Sequence, residues 1–270
     1  MPISRLSCPH CGRPSFFPNV DRARDPRESA KLAQRSTEMT GHCKQNNCED
    51  IAERFLDACK QSSAVFSCPV LKLHREIASG TDLFETYYDL ERLKLRSEIP
   101  AGFDWAKLRP QAEIELLGTH KNIDQIHYAC LSLDGKDLGY GDCLVKLSES
   151  MIAHRSSCFE GNTAVIYAIL GHFDNILRSD WQNRHSICFA TFGNKLDSRS
   201  TEADFQSILV DRGESSEDDS FIEVHVFGPM TARTFETVQI ATAKHSPRDA
   251  VLVAAIADKL AAINIQVVRS

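Results

Sequence analysis

The chain has 270 residues, 42% of them hydrophobic and 25% charged, with a net charge of −6. This suits one large folded domain or a domain with an appendage, since a domain holds about 100–200 residues, and it argues against general nucleic-acid binding, whose affinity comes from Lys and Arg. No apolar run reaches the ~20 residues that span a bilayer and the N-terminus is too polar for a secretory signal, so we expect no membrane partner and a cytoplasmic protein, or one exported without a cleavable signal, whose ten Cys are mostly reduced.

Cys8-Pro9-His10-Cys11-Gly12 places two thiols two residues apart with a glycine beyond, the knuckle that turns two thiolates toward one tetrahedral metal. Asp25-Pro26 starts a helix expected over 26–39, after which His42, Cys43 and Cys48 follow. We expect a structural zinc held by Cys8, Cys11, Cys43 and Cys48. The gap between Cys43 and Cys48 is looser than a standard knuckle, and the alternative is that both are ordinary residues before the next helix. That helix, 49–60, carries Ile51, Phe55, Ala58 and Cys59 on one face, which makes Cys59 a core thiol. Residues 1–60 are thus read as a zinc-binding, ribbon-like and helical region.

Residues 61–110 read as a helical connector. It begins with a strand over 63–70 ended by Pro69, and a helix over 82–96 follows, capped by Thr81, with Leu83, Tyr87, Leu90 and Leu93 as its core stripe. Residues 111–270 read as a β-rich, catalytic-like domain. Apolar runs at 126–133 and 142–147 flank the turn at Asp134-Gly135, a hairpin signal. His127 and Ala129 fall on one face of the first run, Tyr128 and Cys130 on the other. Gly139-Tyr140-Gly141 suits a sharp turn or a backbone that approaches a ligand closely. Arg155-Ser156-Ser157 then offers a cation and two hydroxyls, although Arg155 could equally satisfy loop carbonyls. A helix is expected over 164–177, a short apolar run over 187–192, a helical turn or strand over 204–211, a helix over 250–263 and a last strand over 265–268.

The most informative stretch is Phe221-Ile222-Glu223-Val224-His225-Val226-Phe227, entered from an acidic loop and stopped by Gly228-Pro229. Strict alternation makes it a strand with Ile222, Val224 and Val226 on one face. Glu223 and His225 share the other face between two Phe, where desolvation would shift both pKa values. An exposed polar face on an edge strand would give the same pattern.

Four segments, H-Y-A-C-L-S-L-D-G (127–135), Y-G-D-C-L-V-K-L (140–147), R-S-S-C-F-E-G-N-T (155–163) and F-I-E-V-H-V-F-G-P (221–229), follow one another in an order that resembles an uncharacterised bacterial domain family. Its members show Y-G-A-L-N-L, F-G-S-C-x-L-x-L, R-S/T-T-F-x-x-G-D/N-S and Y-I-E-x-x-H-G segments, and we regard it as ADP-ribosyltransferase-like. The resemblance covers about 115–240. It implies an α+β protein with a split mixed or antiparallel sheet that binds NAD as substrate between two small sheets. It also implies transfer of ADP-ribose to an unknown macromolecular acceptor, in an effector, toxin or defence role. Under it His127 or Arg155 would hold the cofactor, Ser156 and Ser157 support the site, and Tyr128, Tyr140 and Gly141 line it. Glu223 would bind the nicotinamide ribose where oxocarbenium character develops. The chain departs from the pattern at His225, where many such transferases carry a second Glu, and at Asn162-Thr163, where the family tends to have Asp-Ser. Either Glu223 or His225 could then be the catalytic position, with Arg155.

Two other classes fit the same residues. Glu223 and His225 could serve a metal-dependent hydrolase with a further His (127, 154, 172 or 185), or Cys143 or Cys158 could act as a nucleophile with His225. A non-catalytic zinc-binding adaptor would use the strand face only to contact a partner.

Overall fold

The computed structural model describes residues 6–7, 14–15, 17–78, 83–93, 105–118, 122–214, 218–241 and 247–269. The protein is mixed α+β. Two short strands, β1 (Leu6–Ser7) and β2 (Pro14–Ser15), pair antiparallel and bracket the Cys8–Cys11 segment. Helices α1 (Pro18–Ala23), α2 (Pro26–Gln45) and α3 (Glu49–Lys60) follow, α2 starting at Pro26 with Asp25 accepting from the Arg27 amide. Then come β3 (Ser63–Cys68), α4 (Val70–Ala78), α5 (Tyr87–Arg92) and α6 (Trp105–Leu117). The second half holds β4 (Ile126–Ser132), β5 (Cys143–Leu147), α7 (Glu149–Ile152), β6 (Ser156–Glu160), α8 (Thr163–Leu170), β7 (Arg178–Asp180), α9 (Arg184–Phe192) and α10 (Phe205–Leu209). It ends with β8 (Ile222–Phe227), β9 (Phe235–Ile240), α11 (Pro247–Ala261) and β10 (Gln266–Arg269). Among the described residues no helix is long and apolar enough to cross a membrane.

Eight strands form one sheet in the order β10-β9-β5-β3-β4-β8-β6-β7, antiparallel except for the β10–β9 pair. The hairpin expected from 126–133 and 142–147 does not form: β3 lies between β4 and β5 and pairs with both. A turn signal at Asp134-Gly135 reports only the local reversal, and β3, supplied from sixty residues earlier, takes the edge that a hairpin partner would have used.

The pairing of β3 is uneven. With β4 it covers three positions, Ser63↔Ser132, Ala64↔Leu131 and Val65↔Cys130, whereas with β5 it continues to Cys68↔Cys143. Beyond Val65 and Cys130 the two strands part, and β4 stays with β8 from Ile126 to Cys130. The sheet therefore opens between β3 and β4.

One face of the sheet carries the main core. Val224, Val226, Val145, Leu131 and Val238 belong to a single cluster with Leu32 and Phe55 of α2 and α3, Leu73 of α4, Ile187 of α9 and Leu260 of α11. The boundaries expected at 60 and 110 pass through that cluster, and β3, from the expected connector, is a central strand. The other face packs on α1, α6 and α8 through three smaller clusters: Ala112, Leu116 and Phe159; Val65, Cys130 and Phe221; Leu117, Ile126 and Phe227. A polar group fills the space between them.

Several elements were not expected. The 82–96 helix shortens to α5, whose box is made by Thr86 and Asp89, while Thr81 lies outside the described residues. Helix α4 starts where a strand was expected to finish, its first amide bonded by the distant Asp142 side chain. Helix α8 stops at Leu170 because Gly171 turns left-handed at φ 73°.

Candidate functional site

Strand β8 lies between β4 and β6, and all six of its residues are buried. The exposed-edge reading of Glu223 and His225 is thereby overturned. Register sets their neighbours: Glu223 lies between Cys130 and Phe159, and His225 between Tyr128 and Ser157. These side chains share the face that points away from the main core.

Glu223 abuts the N-terminus of α8. Its Oε2 accepts from the Thr163 amide at 2.9 Å, the Thr163 hydroxyl at 2.5 Å and His225 Nε2 at 3.0 Å, its hydrogen bonds among the described residues. Oε1 takes part in none of them. Asn162 caps the helix, accepting from the Ala164 and Val165 amides, so its dipole also favours the anion. Burial alone would raise the Glu223 pKa. The hydrogen bond and charge of His225, then Arg109 and Thr163, reverse that and hold it at about 2. For His225 burial wins over the neighbouring carboxylate, and its pKa falls below the ordinary imidazole value. The pair is thus a buried carboxylate hydrogen-bonded to an imidazole whose charged form burial disfavours. His225 Nδ1 has no partner; its ring packs on Phe159 at 4.4 Å and edge-on to Tyr128 at 5.0 Å.

Arg109 of α6 completes the group. Its guanidinium lies 4.0 Å over the Tyr128 ring, a cation–π distance, and its Nε and Nη1 have no hydrogen-bond partner. Among the described residues it is paired with the Glu113 carboxyl, 3.9 Å away, which is completely buried and bonded by the Tyr88 hydroxyl at 2.6 Å. Burial, which outweighs Arg109 and Tyr88, pushes Glu113 up to about 8.

These groups meet at a cavity of about 220 Å³ in the opening between β3 and β4, lined by Phe66, Arg109, Tyr128, Tyr140, Asn162 and Glu223 among others. Tyr140 stands at the mouth, 53% exposed, its hydroxyl donating to Asp219. The arrangement offers a carboxylate, a guanidinium and aromatic walls within one cleft.

Other expected site residues lie elsewhere. Arg155 is buried and donates from Nε to the Met151 carbonyl and from Nη1 to those of Phe227 and Pro229, so it ties loop carbonyls and is not among the residues that line this cavity. Burial lowers its pKa to about 10. His127 alternates with Tyr128 and points to the opposite face from Glu223. Ser156 likewise pairs with Val226 on the main-core face, whereas Ser157 flanks His225 and lies 3.1 Å from Asn19 Nδ2. Gly141 serves the scaffold: a Cβ there would stand 2.4 Å from the Cys68 carbonyl carbon, so the close approach is to β3. Cys143 and Cys158 face the main core, away from His225, and burial pushes Cys158 up to about 12; neither forms the Cys/His pair considered above.

Of the expected zinc ligands, Cys8 and Cys11 lie outside the described residues. Cys43 and Cys48 are buried thiols at the junction of α2 and α3, with Cys48 Sγ 3.6 Å from the Cys43 carbonyl and 3.5 Å from that of Leu196. Burial, then Cys48, pushes Cys43 up to about 12. Among the described residues no group of three His, Cys, Asp or Glu is placed to hold a metal ion, Glu223 and His225 included.

Sequence reasoning missed Arg109, Thr163 and Asn19. Asn19 Nδ2, fully buried on α1, reaches the carbonyls of Arg155 and His225 at 3.1 and 3.0 Å. Thr163 had a usable signal, since Asn-Thr before an apolar run marks a helix start whose free amides attract a carboxylate. Arg109 had none: Pro110 inside α6 disguised the helix. Comparison with protein-family models, curated proteins and solved structures finds no match to this chain.

Proposed function

We propose that the protein binds NAD in the cleft between β3 and β4 and transfers its ADP-ribosyl group to a macromolecular acceptor, as an effector, toxin or defence protein would. The observation that carries this reading is the convergence of Glu223, Arg109 and Tyr128 on one cavity at the place where the sheet opens. A sheet divided over its ligand is what the ADP-ribosyltransferase resemblance implies; here the eight strands remain one sheet, and the support is that β3 and β4 part beyond Val65 and Cys130.

In the reaction the bond from ribose C1′ to the nicotinamide nitrogen breaks and nicotinamide leaves with the electron pair. A nucleophile of the acceptor bonds to C1′ and gives its proton to solvent. Glu223, held anionic before substrate arrives, stabilises the positive charge that develops on the ribose, with Oε1 as the oxygen available to a ribose hydroxyl. His225 keeps that carboxylate in place. Arg109, a wall of the cavity, takes the cofactor-holding role expected of His127 or Arg155, and Tyr128 and Tyr140 supply ring surfaces.

A structural zinc on Cys8, Cys11, Cys43 and Cys48 belongs to the same proposal. It is supported by the hairpin that brackets Cys8 and Cys11 and by the adjacency of Cys43 and Cys48.

The test is nicotinamide release from NAD by the purified protein beside Glu223→Gln. We expect release in the wild type and a loss of about 10²-fold or more in the variant. No release, together with no NAD binding by calorimetry, would overturn the reading and favour an adaptor.

A further inference from the structure

The opening between β3 and β4 has a second lobe. A cavity of about 200 Å³ shares Phe66, Ser67 and Tyr128 with the lobe that holds Glu223 and adds Lys72, Phe84, Tyr87 and His127. Each lobe alone is smaller than the roughly 300–1,000 Å³ usual for small-molecule sites; together they enter that range. The shared residues Phe66, Ser67 and Tyr128 are where a ligand that occupies both would pass.

The walls of the second lobe are specific. The rings of Phe66 and Phe84 meet edge to face at 5.6 Å, which fixes one wall, and Tyr87 and Tyr128 supply others. His127, 8% exposed, lines this lobe. Burial, then Arg155 and Lys72, drives its pKa down to about 3, so it meets a ligand as a neutral imidazole with one donor and one acceptor. Lys72 is the cation of the lobe. Among the described residues it is paired with Glu76, 3.7 Å away, and burial, which outweighs Lys72, pushes that carboxyl up to about 7. Glu85, also in the wall, is paired with Arg75.

We propose that this second lobe is a nucleotide subsite: a planar heteroaromatic base rests among Phe84, Tyr87 and Tyr128, pairs with His127 through its polar edge, and directs its phosphate toward Lys72. It rests on the NAD reading only in what it is joined to; the base can be the far half of the same dinucleotide or a separate nucleotide that accepts ADP-ribose.

The probe is AMP, titrated calorimetrically into wild type, Lys72→Ala and Tyr87→Ala, each verified as folded by its melting curve. We expect AMP to bind the wild type and to bind either second-lobe variant about tenfold or more weakly, as removal of a stacking ring costs elsewhere. Loss of the AMP signal under saturating NAD identifies the far half of the dinucleotide. A signal that persists identifies a separate nucleotide. No AMP binding, or equal binding in wild type and both second-lobe variants, overturns the subsite. AMP binding as expected without nicotinamide release would keep the subsite and sink the transferase reading.

Discussion

Thr163 donates both its amide and its hydroxyl to one oxygen of Glu223. The carboxylate is therefore anchored by the first residue of α8, and its second oxygen is left to the cleft. Because the folded-state pKa of about 2 lies below the ~4.3 of an unperturbed Glu, the ionised group adds stability above about pH 4.3, and that contribution fades as pH falls toward 2. Thr163→Val keeps the amide and removes the hydroxyl. We expect it to cost about 1.5–3 kcal/mol at pH 7 and clearly less near pH 2.5, read by denaturant unfolding at both pH values. An equal cost at both would mean that the hydroxyl does not serve the carboxylate.

Glu113 has the opposite sign. Its pKa, up at about 8, makes the folded state hold a proton that the unfolded chain releases above about pH 4.3. Stability then falls as pH rises from about 4.3 to 8, by up to about 1.4 kcal/mol per pH unit. Glu113→Gln removes the titration while keeping an oxygen for Tyr88. The variant should melt higher than wild type at pH 8.5 and show no such advantage at pH 4.5. Parallel melting-temperature profiles would refute the assignment.

Gly141→Ala tests a packing claim. The added methyl would meet the Cys68 carbonyl carbon, oxygen and amide nitrogen at 2.4–2.6 Å, and backbone atoms cannot swing aside. We expect a loss of about 1–3 kcal/mol, with the remaining folded protein still able to bind NAD. A variant of full stability that loses NAD binding would return Gly141 to the ligand.

The zinc proposal is tested by Cys8→Ser. Wild type is expected to carry zinc in a fixed ratio to protein, and the variant to lose it and melt lower, since metal binding and folding are coupled. A variant with unchanged melting temperature and metal content would end that proposal.

The legible parts of the sequence were those whose partners are local. Alternation along β8 specified the strand and the shared face of Glu223 and His225 because period 2 is a property of the strand itself. Helix α3 was readable from its stripe, and β3 from its bounds at Ser63 and Pro69. Pairing was not readable: β4 and β5 carry a turn between them, yet each prefers β3, a choice made by packing across the whole sheet. Helix α4 is started by Asp142, more than seventy residues away, and β7 is three polar residues, Arg178-Ser179-Asp180, with no apolar pattern at all. Arg155 looked like a site residue because its charge is visible in sequence, whereas the carbonyls that occupy it are not.

The parting of β3 from β4 has a consequence for how such a cleft could change over time. Its lining includes residues of both strands, and main-chain amides and carbonyls are supplied by nearly every residue type. Recognition that leans on them survives exchange of the lining side chains one after another. A chain could therefore alter its preferred ligand through Arg109, Lys72 or Tyr140 while the cleft itself stayed in place.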